Sequence, residues 1–319
     1  MNLSLIIPVY NEQETLPHLF DALYKTMNAL NQSWEVILVD DGSRDDSLSV
    51  LKEVAQKDAE HIRVISFRRN FGQTAAIAAG LDYAQGEIIV LLDADMQNDP
   101  ADIPMMLAKL DEGYDLVSGW RKFRKDNAIT RNLPSMMANW LISRVTGVHL
   151  HDYGCTLKAY RRDVLEGFRL YGEMHRFIPV FADSVGAKIT EVPVRHHARK
   201  YRKTKYGLER TLKVVLDLFT VKFLVSYSSK PIYLFGGAGL ALMFIGLADL
   251  LYLFIRRFWN IPASTSPLLP IGVMFAILGF QSMLMGLIAE LLVRTYHESQ
   301  RKTTYTIRTT VNLEQDPRD

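Results

Sequence analysis

Cysteine is nearly absent from this chain, whose 319 residues include one, Cys155. A single cysteine excludes an intrachain disulfide and fits a reducing compartment. The N-terminus has no basic segment, and its first apolar run is too short for a secretory signal peptide. We therefore expect residues 1–230 to stay in the cytosol.

Basic residues are scarce in the first part of the chain. Residues 1–120 contain 20 Asp and Glu but 8 Lys and Arg, whereas residues 121–319 contain 15 and 29. The acidic part can hold a cation, and the basic part can bind a lipid phosphate or a membrane surface. Nucleic acid is the competing partner for the basic part, but the apolar spans near the C-terminus favour a membrane. We predict no nucleic-acid partner.

Polar residues are also missing from residues 88–92, which have the length and β-branched content of a buried strand. Asp93 and Asp95 follow directly, and ligands bind at the carboxyl ends of strands in open parallel sheets. Two carboxylates on the same side of an extended exit suit a divalent cation, Mg²⁺ or Mn²⁺, that also holds phosphate oxygens. The alternative is a solvated turn, in which residues 98–100 cap the next helix.

The whole first half alternates between predicted strands and helices. Strands are predicted at residues 3–10, 34–39, 62–67 and 88–92, with helices between them. This spacing indicates βαβ units and a mostly parallel α/β sheet. Residues 114–121 predict a further strand, and residues 187–194 a late edge strand, because Pro193 cannot donate to a ladder.

Four short motifs stand at the predicted ends of these elements. They are Pro-Val-Tyr-Asn-Glu at 8–12, Asp-Asp-Gly-Ser at 40–43, Asn-x-Gly at 70–72 and Asp-Ala-Asp at 93–95. In this order and spacing they resemble the nucleotide-sugar half of glycosyltransferase family 2. The resemblance implies a GT-A, Rossmann-like domain, followed here by interfacial helices and two transmembrane helices.

The resemblance implies a nucleotide-sugar site and a cation site. The expected nucleotide-sugar residues are Pro8, Tyr10, Glu12, Asp40, Asp41, Arg69, Asp93 and Ala94. The expected cation ligands are Asp93, Asp95 and Gln97, with Mg²⁺ or Mn²⁺ as cofactor. Some of these residues have plainer explanations: Tyr10 as a rim side chain, Glu12 as a helix cap and Arg69 as a solvated loop charge.

A second set of residues resembles the lipid-phosphate side of the family. Residues 199–208 resemble the Arg-x-x-Gly-x-Ser-Lys-Tyr pattern of polyprenyl-phosphate sugar transferases, although Arg202 and Thr204 replace the usual Gly and Ser. Asp152 is the expected acceptor-side carboxylate, in a loop whose sequence departs from the commoner Pro-x-Ser-Gly. The expected catalytic residues are Asp152, Arg121, Arg131, Arg199 and Arg202. The expected lipid-phosphate residues are Arg121, Arg131, Arg199, Arg202 and Lys205.

Two apolar stretches, residues 232–255 and 268–293, are long enough to cross a membrane. The predicted organisation is a cytosolic GT-A domain at 1–208, a juxtamembrane amphipathic helix at 209–230, two transmembrane helices at 231–294 and a cytosolic β-type tail at 295–319. The helix at about 133–147 has two readings, a core-facing helix or an interfacial one. Flanking charge predicts that both termini and the catalytic domain lie on the cytoplasmic side of the membrane. The resemblance implies that this is a bacterial inner membrane.

The tail is rich in β-branched residues and needs a partner strand, since one strand alone is not stable. A neighbouring subunit is one source of that strand, and we expect a homo-oligomer.

The resemblance implies inverting transfer of a hexose from a nucleotide sugar to undecaprenyl or another polyprenyl phosphate. Glucose from UDP-glucose is the expected donor, with mannose from GDP-mannose or a modified aminoarabinose as alternatives. A processive polysaccharide synthase is less favoured, because the chain lacks a Gln-x-x-Arg-Trp signature and has too few spans for a channel. A non-catalytic membrane scaffold is the remaining alternative.

Overall fold

The structure is a computed structural model. It describes residues 1–122, 133–166, 170, 174–197, 218, 232–257, 266–299 and 305–313. The chain divides into two compact units: Met1–Val221 with Thr303–Asp319, and Lys222–Lys302. Four predicted site residues, Arg131, Arg199, Arg202 and Lys205, lie outside the described residues, as does most of the segment 209–230.

The described part of the first unit contains one mixed sheet with helices between its strands. Its strands are β1 (Leu3–Val9), β2 (Trp34–Asp40), β3 (Ile62–Phe67), β4 (Ile88–Leu91), β5 (Leu116–Trp120), β6 (Lys158–Arg161), β7 (Ile189–Pro193) and β8 (Ile307–Val311). Its helices are α1 (Leu16–Met27), α2 (Ser47–Lys57), α3 (Gln73–Tyr83), α4 (Ile103–Asp111), α5 (Leu133–Thr146) and α6 (Ile178–Ser184). The strand order is β7-β5-β6-β4-β1-β2-β3-β8.

The centre of the sheet is parallel and buried on both faces. β1 lies between β2 and β4, and Ile6 is aligned with Ile37 on one side and Leu91 on the other. All seven residues of β2 are buried, as expected for a strand covered by helices on both faces. Side chains of α1, α2 and α4 join the core on one face, and α3 packs on the other. The predicted mostly parallel α/β sheet is confirmed.

Two features near the sheet edges bear on the site. β7 is an edge strand, as Pro193 predicted. β6 was not predicted, and it runs antiparallel between β4 and β5. Its insertion brings the loop at 152–157 next to the end of β4, which carries the Asp-Ala-Asp motif.

The C-terminal strand β8 pairs antiparallel with β3 of the same chain. Tyr305, just before it, stacks on Phe67 with ring centroids 5.1 Å apart and donates a hydrogen bond to Asp82 at 2.6 Å. The tail therefore has its partner strand within its own chain, and no strand from a neighbouring subunit is needed to pair it.

Helix α5 shows features of both predicted alternatives, a core-facing helix and an interfacial helix. Ile142 is buried, whereas Met136 and Trp140 are 66% and 68% exposed. One side of the helix thus joins the core while two large apolar side chains lie outside it. The interfacial role of this helix remains a prediction.

The described part of the second unit is a pair of helices, α7 (Ile232–Arg257) and α8 (Leu268–Ser299). Each contains a 22-residue stretch that is long and apolar enough to cross a membrane. The helices approach most closely at glycines: a Cβ on Gly239 would lie 2.6 Å from the Gly279 carbonyl oxygen, and one on Gly246 would lie 2.6 Å from that of Gly272.

Gly237 is not part of this close approach, because a Cβ there would meet nothing within 4 Å. Helical periodicity places Gly237 and Gly239 on different faces, and the sequence alone did not say which face meets α8. Asp249, the acidic residue of α7, faces α8, since a Cβ on Gly272 would lie 2.7 Å from its Oδ2.

Candidate active site

The loops that follow β1 and β2 are joined by hydrogen bonds at the carboxyl edge of the sheet. The backbone N–H of Asn11 donates to Ser43 Oγ at 2.9 Å, and that of Glu12 donates to Ser47 Oγ at 2.8 Å. Asp41 N–H donates to the carbonyl of Val9 at 2.8 Å. The two motifs predicted to bind the nucleotide therefore form one connected surface.

Gly42 allows the β2 loop to approach the turn after β3. Its φ is +67°, and a Cβ there would lie 2.8 Å from the backbone nitrogen of Asn70. Only glycine combines this left-handed backbone with so close an approach. The Asp-Asp-Gly-Ser and Asn-x-Gly motifs consequently belong to one structure.

Asp40 and Asp41 are buried and hold these loops. Asp40 accepts hydrogen bonds from Ser43 N–H at 3.0 Å and from Ser66 Oγ at 2.8 Å. Asp41 accepts from Phe71 N–H, Gly72 N–H and the Asn70 side chain at 2.6, 2.9 and 2.8 Å. Burial raises the pKa of the Asp41 carboxyl to about 6, although the Phe71 and Gly72 N–H groups oppose this. Both side chains shape the site, and their contact with a nucleotide remains a prediction.

The other predicted nucleotide residues differ in their exposure. Tyr10 is 39% exposed, so its ring is open to stacking, and Pro8 before it is half-buried. Glu12 is buried and accepts a hydrogen bond from Thr15 Oγ at 2.8 Å, which fits the capping alternative. Arg69 is exposed, with its guanidinium 4.1 Å from the Phe71 ring centroid. Ala94 is buried between the two aspartates.

Asp93, just after the end of β4, is held by hydrogen bonds from two polar side chains. Its Oδ1 accepts a hydrogen bond from Gln73 Nε2 and its Oδ2 one from Thr156 Oγ, both at 2.7 Å. Burial, and then the charge of Asp95, raises the pKa of Asp93 to about 6, while Thr156, Arg121 and Lys158 act in the opposite direction. Sequence reasoning did not assign Gln73 or Thr156 to the site.

Asp95 and Gln97 form the turn beside Asp93. Gln97 N–H donates to Asp95 Oδ1 at 3.1 Å, and Met96 between them has a left-handed φ of +57°. Within the described residues, no group of three or more His, Cys, Asp or Glu side chains comes together to hold a metal. A pair of carboxylates nevertheless fits Mg²⁺ or Mn²⁺, which take further oxygen ligands from phosphates and water.

Arg121 and Asp152 form a bidentate ion pair. Arg121 Nε and Nη2 donate to Asp152 Oδ2 and Oδ1 at 2.7 and 2.9 Å. Burial lowers the pKa of the Arg121 guanidinium, but the hydrogen bond and charge of Asp152 outweigh it, so the pKa is raised. The predicted acceptor-side pair is thus assembled, with Asp152 nearly inaccessible at 2% side-chain exposure.

The acceptor-side pair and the cation-side carboxylate are connected by one turn, since Asp152 pairs with Arg121 and Thr156 donates a hydrogen bond to Asp93. The charge of Asp93 raises the pKa of Arg121, and the charge of Arg121 lowers that of Asp93. Cys155 in the same turn is fully buried, and burial raises the pKa of its thiol to about 11, which fits a packing role. The structure therefore brings together Asp93, Asp95, Arg121 and Asp152.

This geometry agrees with comparisons of the sequence with known families. The sequence profile described as glycosyl transferase family 2 matches residues 4–168. The chain belongs to glycosyltransferase family 2. The matched region includes all the residues of the assembled site, from the β1 loop to the turn that carries Asp152 and Thr156.

Relatives of this glycosyltransferase match it over nearly its full length. It is 41% identical over 312 residues to the dodecaprenyl-phosphate galacturonate synthase of Rhizobium johnstonii, covering 97% of this chain and 92% of the relative. It is 36% identical over 310 residues to the undecaprenyl-phosphate 4-deoxy-4-formamido-L-arabinose transferase of Klebsiella pneumoniae subsp. pneumoniae, covering 97% and 93%.

Among solved structures, the glycosyltransferase is similar to glucosyl-3-phosphoglycerate synthase from Mycobacterium tuberculosis in complex with Mn²⁺, UDP and phosphoglyceric acid. The TM-score is 0.53 at 21% identity, covering 69% of this chain and 78% of the synthase. This likeness shows a shared fold, and the predicted GT-A domain is confirmed.

Proposed function

We propose that this glycosyltransferase transfers a sugar from a nucleotide sugar to a polyprenyl phosphate. The observation that carries the proposal is one turn at the edge of the sheet, in which Asp152 pairs with Arg121 and Thr156 donates a hydrogen bond to Asp93. The two relatives named for polyprenyl-phosphate products cover the same length of chain, and they support this choice of acceptor.

The proposed reaction is a single displacement with inversion. A phosphate oxygen of the lipid forms a bond to the anomeric carbon, the bond from that carbon to the diphosphate oxygen breaks, and the nucleoside diphosphate leaves with the electron pair. A phosphate monoester is largely ionised at neutral pH, so a strong general base is not required. Alignment and charge neutralisation are the larger needs.

Each side of the site has a part in this proposal. Asp93 and Asp95, with Gln97, would hold Mg²⁺ or Mn²⁺, and the bound ion would neutralise charge on the leaving diphosphate. Asp152 fixes the plane of the Arg121 guanidinium through two hydrogen bonds. A guanidinium held in this way is suited to orient an acceptor phosphate. Arg131, Arg199, Arg202 and Lys205 remain predicted lipid-phosphate residues.

The donor sugar is the finer part of the proposal. Because the relative named for galacturonate shares the higher identity, 41% against 36%, we place uridine-diphosphate-linked galacturonate first. A nucleotide-linked 4-deoxy-4-formamido-arabinose is the second candidate donor, because the second relative is named for that sugar. Glucose from UDP-glucose, expected from the sequence, and mannose from GDP-mannose are tested beside them.

The membrane arrangement is part of the same proposal. Each of the helices α7 and α8 crosses a bacterial inner membrane once, so that the GT-A domain and both termini lie on the cytoplasmic side. An acceptor carried by the bilayer then meets a soluble donor at the membrane surface. A homo-oligomer remains a prediction.

The test is sugar transfer by the purified full chain in detergent. The protein is incubated with undecaprenyl phosphate, MnCl₂ or MgCl₂, and one labelled nucleotide sugar at a time from the four named above. We expect label in the lipid phase with one donor, and loss of that label on adding EDTA. Absence of lipid-linked label with every donor would overturn the proposal.

A matched variant separates catalysis from a scaffold role. Asp95→Asn removes one carboxylate charge while keeping nearly the same shape, so transfer should fall to the level of a reaction without protein. Undiminished transfer by this variant would contradict the assigned cation site. A polymer in place of a single lipid-linked sugar would instead indicate a processive synthase.

A further inference from the structure

A buried lysine lies beneath the site and is not explained by the residues assigned above. Lys158 begins β6 and is 2% exposed. Its ammonium group donates hydrogen bonds to the carbonyl oxygens of Tyr153, at 3.2 Å, and Cys155. Within the described residues it forms no ion pair with a carboxylate. Its hydrogen bonds there are to the backbone of a single turn.

The surroundings of Lys158 make its charge costly. Burial lowers the pKa of its ammonium group, and the nearby charges of Arg121 and Arg176 lower it further, against the opposing effect of Cys155 and Asp152. A methionine of similar length would fill the same space without the desolvation cost of a buried charge. Packing alone therefore does not account for a lysine at this position.

The turn that Lys158 holds joins the two sides of the site. At its start, Asp152 is paired with Arg121. At its end, Thr156 Oγ donates to Asp93 Oδ2 at 2.7 Å. The turn has little spare room, because a Cβ on Gly154 would lie 3.2 Å from Arg121 Nη2. A shift of the backbone at 153–155 would move both ends.

We propose that Lys158 is a positioning residue, which fixes the turn at 152–156 so that Asp152 and Asp93 are held at a set separation. This inference rests on the proposed function, since it assigns Asp93 to the cation side and Asp152 to the acceptor side. Lys158 acts through the carbonyls of Tyr153 and Cys155 and through Thr156, and it does not touch substrate.

The first test compares Lys158→Met with Lys158→Arg, which keeps a charged donor. The measurements are Mn²⁺ affinity by electron paramagnetic resonance in the presence of UDP, and kcat and KM for donor and lipid. We expect Lys158→Met to weaken Mn²⁺ binding and lower kcat by about 10- to 100-fold each, in the range seen for residues that orient metal ligands. The donor KM should change much less, and Lys158→Arg should recover part of the loss.

The second test is a double-mutant cycle with Thr156→Val, read as Mn²⁺ affinity in the presence of UDP. If Lys158 acts on Asp93 through Thr156, the two substitutions disturb the same path. The Mn²⁺ affinity of the double variant should then be no lower than that of the single variant with the lower affinity. Losses that multiply would show two independent effects and would overturn the proposal. This cycle remains decisive if the arginine does not fit.

Tyr160→Phe is the matched control. Tyr160 lies two residues along β6 and lines the same small cavity as Lys158, and its hydroxyl has no hydrogen-bond partner among the described residues. We expect wild-type Mn²⁺ affinity and kcat from this variant. A loss as large as that of Lys158→Met would assign the effect to general packing of β6 and refute the inference.

The two proposals fail in different ways. A wild-type protein that binds Mn²⁺ and UDP but transfers no sugar would overturn the proposed function, while the binding cycle would still test Lys158. An active wild type with multiplying losses in the cycle would overturn the role of Lys158 alone.

Discussion

The backbone N–H of His197 donates a hydrogen bond to the carbonyl oxygen of Gln97 at 2.9 Å. Gln97 in turn donates its own N–H to Asp95 Oδ1 at 3.1 Å. The segment that leads towards the predicted lipid-phosphate residues is thus attached to the loop of the predicted cation site. Both hydrogen bonds are made by the backbone of Gln97, so a displacement of His197 is expected to reach Asp95.

Side chains reinforce this attachment. Arg195 donates its backbone N–H and its Nε to the two carboxylate oxygens of Asp102, at 2.7 and 2.8 Å, and its Nη1 lies 3.3 Å from Asp99 Oδ2. His197 Nε2 lies 3.3 Å from the same Asp99 oxygen. Asp102 is 7% exposed, so the pair with Arg195 satisfies a nearly buried carboxylate.

The first prediction concerns Arg195→Met. Because this change leaves the Asp102 carboxylate without its side-chain partner, we expect a loss of about 1–3 kcal/mol in stability. We also expect weaker Mn²⁺ binding in the presence of UDP, because the loop at 97–102 loses a restraint. Thermal unfolding in detergent and Mn²⁺ titration measure the two effects.

The control for Arg195→Met is Lys109→Met. Lys109 pairs with Glu112 at 2.7 Å on the exposed side of α4, at i,i+3 spacing. Water and salt screen exposed pairs of this kind, so they contribute little to stability. Equal effects of the two substitutions would show that the attachment of residues 195–197 has no special importance.

The second prediction concerns Asp41→Asn and pH. Burial raises the pKa of the folded Asp41 carboxyl from 3.8 to about 6. Between those values the folded protein binds a proton that the unfolded chain releases, so its stability rises as pH falls. Asp41→Asn cannot titrate, so the wild type should gain stability relative to the variant when pH falls from above to below about 6.

The effect is measured as the difference in melting temperature between the wild type and Asp41→Asn, once above and once below pH 6. A constant difference, or one that moves in favour of the variant in acid, would contradict the burial of this carboxyl. The variant should be less stable at both pH values, because an amide cannot accept all three hydrogen bonds that the carboxylate receives from residues 70–72.

The sequence predicted the parts of the fold that local patterns determine. The run before Asp93 and the strand–helix alternation led directly to the parallel centre of the sheet, because a strand buried on both faces has a recognisable composition. The order of the motifs at strand ends led to the shared edge. Asp93 and Asp95 were predicted from that edge, whereas Arg121 and Asp152 were predicted from the family resemblance, and the structure brings the four side chains together. Their roles remain predictions.

Features that depend on contacts distant in sequence were not predictable. β6 has four residues and begins with Lys158, which by composition indicates a surface position. Its burial depends on β4 and β5, which flank it. Gln73 and Thr156 were missed for the same reason, since their role appears only when α3 and the 152–156 turn meet Asp93.

The third prediction concerns the helix pair of the second unit. A Cβ on Gly279 would lie 2.6 Å from the Gly239 carbonyl oxygen and 2.6 Å from Met243 Cγ. Gly279→Ala should therefore force α7 and α8 apart and cost about 1–3 kcal/mol, as overpacking does in other close contacts. The melting temperature of the purified protein in detergent measures this loss.

Gly237→Ala is its matched control, since a Cβ there would meet nothing within 4 Å. Both substitutions replace a helical glycine with alanine, so their effects on helix propensity are alike and cancel in the comparison. If Gly279→Ala were as stable as Gly237→Ala, the close approach of the two helices would be wrong.

The fourth prediction concerns the C-terminal strand. A chain that ends at Lys302 loses β8, the stacking of Tyr305 on Phe67 and the Tyr305–Asp82 hydrogen bond. These losses uncover the edge of β3, and together they should cost about 3 kcal/mol or more. A chain that ends at Leu313 keeps β8 and should melt like the full chain.

Size measurement by light scattering on the same two truncated chains tests where β8 finds its partner. Because β8 pairs with β3 of its own chain, the shorter chain should melt at a lower temperature while its oligomer size stays that of the full chain. Dissociation on removing β8, together with an unchanged melting temperature, would show that the strand joins subunits in solution. In that case an exposed β3 edge would be covered by a neighbouring copy, since unpaired edges recruit strands from other chains.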